Sequence, residues 1–280
     1  MIKHFVPKTL KEALDILAEN DCFKFAGGTD LMVQKHRSSG LNPGFEKDVM
    51  YLMNIKELDY IKVDAEKNVH IGAISRYGEL IDSALIPDIF KKVFLEIASP
   101  NIRNTATLVG NIANASPAGD ALVPLNLFGA SVVLQSKRGS RTLLVQDYIE
   151  GYRKTACAKD EMITEVIIPH KDLKFYYRKV GSRKAETITK VSMMGGYRVE
   201  GGKVKELRIA FGSISTKVVK NQWIEEKYTG ISTNELRARI DDIINEYDHE
   251  IQPITDQRST KEYRAVVAKN LLRDFLRQIK

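Results

Sequence analysis

Apolar residues recur along the chain with two periods, and these set the first expectations about its elements. Ala13, Leu14 and Leu17 follow Thr9-Leu10-Lys11-Glu12, a capping-box pattern, so a helix is predicted over residues 10–19. Phe23-Lys24-Phe25-Ala26 alternates and then runs into Gly27-Gly28, which reads as a short strand ending in a turn. Residues 48–53 form a second strand-like run, and residues 60–63 and 69–74 read as a strand pair closed by a polar turn. Helical spacing returns over residues 87–98. Residues 99–117 carry little regular pattern, which predicts a long and therefore functional loop. Residues 131–135 and 142–145 flank Lys137-Arg138-Gly139-Ser140 as a hairpin, and residues 162–168 form a strand stopped by Pro169.

After Pro169 the pattern changes. Residues 175–180, 190–199 and 204–213 suggest an antiparallel meander with Gly201-Gly202 at one turn. Two helices are expected next, opened by the capping boxes Ser232-Thr233-Asn234-Glu235 and Ser259-Thr260-Lys261-Glu262. One apolar face comprises Leu236, Ile240, Ile243, Ile244 and Tyr247, the other Tyr263, Val266, Val267, Leu271, Phe275 and Leu276. Strands and helices mix without a βαβ period, so the expected class is α+β, with a domain boundary near residue 170.

Length and composition fit this plan: 280 residues, 43% hydrophobic, allow a large core divided between two domains. The first residues show no secretory signal, and no apolar run is long enough to span a membrane, which makes a cytoplasmic chain the expectation. Cys22 and Cys157 are too few for an iron–sulfur cluster, and the five histidines lack metal-ligand spacing, so no metal is expected on this chain. The net charge is +7. Its densest basic stretch, residues 171–190, reads as a solvated surface, or one facing an acidic partner or a polyphosphate, in preference to a nucleic-acid face.

Two segments carry candidate chemistry. Ala26-Gly27-Gly28-Thr29-Asp30-Leu31 ends a strand. Its glycines let backbone amides approach an anion, and a helix starting near Asp30 would add its own. A purely steric strand-ending turn explains the same glycines. The second segment runs from Asn101 through Arg103, Ala106, Thr107, Gly110 and Asn111 to Asp120 and is dense in small hydroxyl and amide side chains. It suits either a ligand lying flat against it or a loop that satisfies its own backbone. The usual dinucleotide and P-loop glycine patterns are missing.

Together these segments resemble the FAD-binding medium subunit of molybdenum hydroxylases, the xanthine dehydrogenase and carbon monoxide dehydrogenase relatives. The resemblance rests on A-G-G-T-D-L ending at Leu31 and on I-R-N-T-A-T-L-V-G-N-I followed by A-S-P-A-G-D ending at Asp120. It implies a two-lobed FAD-binding domain over residues 1–170, with lobes near 1–55 and 56–170. A C-terminal domain of a three-stranded antiparallel sheet and helices would follow over residues 171–280. The implied first cofactor loop is Lys24, Phe25, Ala26, Gly27, Gly28, Thr29, Asp30 and Leu31, and the second is Ala106, Thr107, Gly110 and Asn111. Asp120 matches a carboxylate accepting from the cofactor's polyol, Ile163 a residue beside the flavin ring, and Lys179 a lysine near the cofactor. No side chain of the chain is implied as a catalytic acid or base.

Two departures from the family pattern are visible. Val109 replaces a glycine, which is expected to hinder close backbone approach to the cofactor. Thr187-Ile188-Thr189 replaces a segment often written D-I-A, expected to be structural and without consequence for the flavin. The implied partners are a large molybdopterin subunit and a small [2Fe–2S] subunit. Electrons would pass through FAD to NAD or another acceptor, with molybdopterin and clusters on the partners and neither nucleic acid nor membrane involved. A flavin-free scaffold is the alternative, and Val109 is its support.

Overall fold

The computed structural model describes residues 2–280. The chain opens with β1 (His4–Phe5), α1 (Leu10–Glu19), β2 (Cys22–Phe25), α2 (Leu31–Gln34) and β3 (Asp48–Tyr51). Thr9 caps α1 as the sequence predicts, its hydroxyl accepting from the Glu12 amide at 3.2 Å, while Glu12 turns back to the Lys8 amide at 2.8 Å. Ala13 and Leu17 face the core. β3 lies between β1 and β2 and pairs parallel with both, so a small βαβ arrangement exists where no such period was expected. Strands of two to four residues are too short to express one.

A second, five-stranded sheet follows. In chain order come β4 (Ile61–Val63), β5 (Val69–Gly72), α3 (Tyr77–Asp82), α4 (Asp88–Leu95), α5 (Pro100–Arg103), α6 (Leu108–Asn114) and α7 (Leu122–Phe128). Then come β6 (Ser131–Ser136), β7 (Gly139–Leu144), α8 (Val145–Tyr148), the small pair β8 (Ile149–Gly151) and β9 (Lys154–Thr155), and β10 (Met162–Ile168). The sheet order is β4-β5-β10-β6-β7, antiparallel throughout, with β10 at its centre.

The stretch expected as a loop, residues 99–117, instead holds α5 and α6. Ser99 and Thr107 cap them, but with four and seven residues they are too short to show a repeated period. α7 escaped notice for the opposite reason: every one of its seven residues is buried, so it has no polar face. Pro124 is tolerated there because it falls in the first turn, where its missing amide would be unpaired anyway.

The third layer is the predicted meander: β11 (Lys174–Val180), β12 (Val191–Glu200) and β13 (Lys203–Gly212), with Gly201 and Gly202 both at positive φ in the turn. Four helices follow where two were expected: α9 (Gln222–Lys227), α10 (Thr233–Ala238), α11 (Ile240–Asp248) and α12 (Lys261–Arg277). The first predicted helix breaks at Arg239, and Thr260, not Ser259, caps the last. Both faces of β12 are covered. A Cβ on Gly195 would meet the Phe275 ring of α12 at 2.4 Å, and one on Gly196 would reach Leu127 of α7 at 3.3 Å. The core around α7 therefore continues into this sheet through Tyr177, Met194 and Ala210, while Tyr247, Leu272, Phe275 and Leu276 seal the far side. Each such buried side chain contributes about 1.5–3 kcal/mol. No helix among the described residues is long and apolar enough to cross a membrane.

Candidate functional site

The first loop leaves β2 and turns at Gly28, whose φ of 66° is a left-handed conformation that glycine adopts without strain. Gly27 is glycine for a different reason. A Cβ there would lie 2.0 Å from the Thr105 carbonyl oxygen, so the two loops touch backbone to backbone. Among the described residues, no group of the chain accepts from the amides of Gly27, Gly28, Thr29 or Asp30. Four consecutive free donors beside a close loop contact offer an amide cradle of the kind that can bind anionic oxygens. α2 does start at Leu31, but it is a single turn, so its dipole adds little. The Asp30 carboxylate accepts from Gln34, whose amide also reaches Asn114 Oδ1 at 3.0 Å and so ties α2 to α6.

The second loop is held from both ends. The Ala106 carbonyl accepts from the Tyr77 amide at 3.0 Å, and the Thr107 hydroxyl accepts from the Gly110 amide at 3.0 Å. Asn111 Oδ1 is buried and lacks a donor among the described residues. It lies beside Gly119, where a Cβ would come within 3.1 Å of it. A buried acceptor without a partner costs about 1–3 kcal/mol unless something supplies the hydrogen bond.

Beyond Gly119 stands a buried charge cluster. Lys179 Nζ lies 2.7 Å from Asp120 Oδ2 and donates to the Glu96 carbonyl at 2.8 Å, while the Thr189 hydroxyl donates to Asp120 Oδ1. Burial pushes the Asp120 carboxyl up from its ordinary value, and Lys179 and Thr189 only partly counter this. Burial likewise raises Tyr77 and Tyr177, and the Asp120 charge adds to the shift in both. Both hydroxyls are buried without a partner among the described residues.

Of the predicted residues, Gly27 meets the second loop at Thr105, and Asp120 meets Lys179. Lys24 is in the first segment, and its ammonium donates to the Lys159 carbonyl at 2.9 Å. Val109 was expected to crowd the loop. It is only 7% exposed and belongs to the core packed beneath α6, whereas Gly110 beside it is exposed. Thr187-Ile188-Thr189 was expected to be structural, and the Thr189 hydroxyl donates to the Asp120 carboxylate. Ile163 is buried on β10 opposite Leu134, and α6 packs against that strand. Phe25 supports the turn from below, its ring occupying the space a Gly28 Cβ would need. Arg103, the arginine of the second segment, caps the end of α4 through the carbonyls of Leu95, Ile97 and Ala98.

Sequence reasoning missed the cleft that opens on the cradle. It measures about 450 Å³ and is lined by Phe25, Ala26, Gly27, Met53, Arg76, Asn104 and Thr105. Arg76, paired with Glu79 at 2.8 Å, is the cationic side chain of its lining, and no motif marks that residue in the sequence.

A row of amides without acceptors, a cleft floored by Phe25 and a buried Lys179–Asp120 pair are thus spread over an α+β chain. Residues 1–171 match the family described as the FAD binding domain in molybdopterin dehydrogenase, and residues 176–279 match the CO dehydrogenase flavoprotein C-terminal domain. The chain belongs to this family of FAD-binding oxidoreductase subunits of the xanthine dehydrogenase type. It is 35% identical over 207 residues to the nicotinate dehydrogenase FAD-subunit of Eubacterium barkeri, covering 69% of this chain and 66% of that one. It is 27% identical over 276 residues to the glyceraldehyde dehydrogenase medium chain of Sulfolobus acidocaldarius, covering 97% and 96%. The fold matches the structure of reconstituted CO dehydrogenase from Oligotropha carboxidovorans with a TM-score of 0.89 at 23% identity, covering 100% of this chain and 97% of that one. FAD fits the residues present: its anionic oxygens suit the free amides of the cradle, and a polyol hydroxyl would satisfy Asn111 Oδ1.

Proposed function

We propose that this chain is the flavin subunit of a molybdenum hydroxylase complex. It would hold FAD between its two loops and pass electrons from the [2Fe–2S] clusters of a small partner subunit to NAD or another acceptor. A large partner subunit would carry the molybdopterin and oxidise the substrate. The observation that carries the reading is the row of free amides, Gly27 to Asp30, pressed against the second loop at Thr105. The names medium chain and FAD-subunit, borne by relatives, support a multi-subunit assembly.

When bound, FAD supplies redox chemistry that exchanges electrons singly or in pairs. The chain's residues bind and orient. The amides of Gly27, Gly28, Thr29 and Asp30 hold the diphosphate, helped by the Thr29 hydroxyl, while Ala26 and Leu31 shape the loop's flanks. Ala106, Thr107 and Gly110 form the facing backbone wall. Asn111 and Asp120 accept from the polyol, Ile163 packs near the ring, and Lys179 places a positive charge close by. The cleft with Arg76 receives the nucleotide end. The flavin-free scaffold is not favoured, because Val109 lies in the core and leaves the loop face open.

Titration of the full chain with FAD, read by quenching of flavin fluorescence and by the bound visible spectrum, tests this. Saturable one-to-one binding is expected, with a modest loss of affinity in Thr29→Ala. A folded chain that acquires no flavin spectrum in excess FAD would refute it.

A further inference from the structure

Asp120 is gripped at both carboxylate oxygens from one side of the molecule. Lys179, on β11, takes Oδ2, and Thr189, just before β12, takes Oδ1. Thr189 is 1% exposed, so no solvent competes for its hydroxyl. A carboxylate held by one donor can still rotate about its last bond; held at both oxygens, its plane is set. An ionised carboxylate offers about four acceptor positions. With two taken by Lys179 and Thr189, the remaining two keep a fixed direction.

We propose that Thr189 is a positioning residue for the cofactor, locking the Asp120 carboxylate in the orientation that receives the FAD polyol. This rests on the reading of Asp120 as a cofactor acceptor. The hydroxyl acts through Asp120 and does not itself touch the flavin.

The surroundings of Asp120 make a second effect measurable. The groups facing it are Lys179 and Tyr177 from β11, Tyr77 from α3, Glu96 after α4, and Thr189. Burial raises its carboxyl, and of these groups Lys179 and Thr189 draw it back down. Loss of the hydroxyl must therefore raise it further and move the acid limb of FAD affinity to higher pH.

The experiment is FAD titration of the flavin-stripped full chain between pH 5 and 8, in Thr189→Val, Thr189→Ala, Thr189→Ser, Asp120→Asn and the Thr189→Val/Asp120→Asn double variant. Loss of one hydrogen bond to a buried charge predicts affinity about fivefold to tenfold weaker in Thr189→Val and Thr189→Ala, with Thr189→Ser restored to within about twofold. In the Asp120→Asn background Thr189→Val should add nothing further. Near-UV circular dichroism confirms that each variant is folded, and Thr189→Ala, which relaxes packing, stands in if the valine variant does not fold. Weakened binding in Asp120→Asn with unchanged affinity and pH profile in folded Thr189→Val or Thr189→Ala overturns the positioning role alone. Unchanged affinity in Asp120→Asn overturns the reading of Asp120 and the proposal with it.

Discussion

Lys179 and Asp120 form an ion pair 2.7 Å long whose side chains are only 4% and 9% exposed. Such a pair adds little net stability over an apolar one, but breaking it strands the surviving charge. Lys179→Met is expected to cost about 3–5 kcal/mol at pH 7 in denaturant unfolding. The sign with pH follows from the raised Asp120 carboxyl. A folded-state value above the unfolded one favours folding most at low pH, and the benefit fades as pH rises through the folded value. Removing Lys179 raises that value further, so the deficit of Lys179→Met should shrink on acidification as the stranded carboxylate takes up a proton.

Gly27→Ala and Gly28→Ala separate two kinds of glycine. The first drives a methyl into the Thr105 carbonyl at 2.0 Å and forces the loops apart, so FAD binding should be lost along with stability. The second strains a left-handed residue by about 1–2 kcal/mol and displaces only the Phe25 ring, so binding should fall less. Gly40→Ala is the control: it also has positive φ but nothing within 4 Å, and it should leave the FAD titration unchanged.

Val109→Gly installs the glycine that the family resemblance led us to expect at this position, yet it should not improve binding. It removes a buried side chain worth about 1.5–3 kcal/mol and adds about 1 kcal/mol for glycine in a helix. Lower thermal stability with unchanged FAD affinity is expected; tighter FAD binding would contradict the core placement of Val109.

His70 sits between two carboxylates, with Nδ1 3.0 Å from Glu165 and Nε2 3.0 Å from Asp64. Burial disfavours its charge, but the hydrogen bonds it donates to Asp64 and Glu165 outweigh that and raise its value above the ordinary one. Its contribution is therefore complete below about pH 6.5 and is lost as pH rises through the raised value. Against His70→Gln, the parent chain should be more stable by about 1 kcal/mol at pH 5.5, below the usual range for charged hydrogen bonds because the pairs are partly exposed to solvent. The advantage should vanish in alkali. An advantage that grew with pH would mean that the imidazole is neutral in the folded chain.

What could be read from the sequence was whatever local residues decide. α1 was legible because Thr9 and Glu12 write its start, and the meander because alternating strands are separated by Gly201-Gly202. β10 was legible as a hydrophobic run stopped by Pro169. α7 was not, since burial on every side erases the amphipathic signal. The two loops were visible as candidates, but a lone glycine turn and an anion cradle are spelled alike. What separates them is the contact of Gly27 with Thr105, which no local pattern encodes. Thr189 illustrates the same limit, because its partner stands 69 residues away and becomes a neighbour only when the C-terminal sheet docks on α7.

That separation has a consequence for the order of events during synthesis. Asp120 emerges from the ribosome 59 residues before Lys179 and 69 before Thr189. Until the meander has been made and docked, the carboxylate has neither donor, and the core around α7 lacks Tyr177, Met194 and Ala210. The amide cradle is complete early, but the far end of the site is finished by residues translated much later. In the proposed site, cofactor capture is thereby tied to completion of the C-terminal domain, and a chain released early would carry half of it.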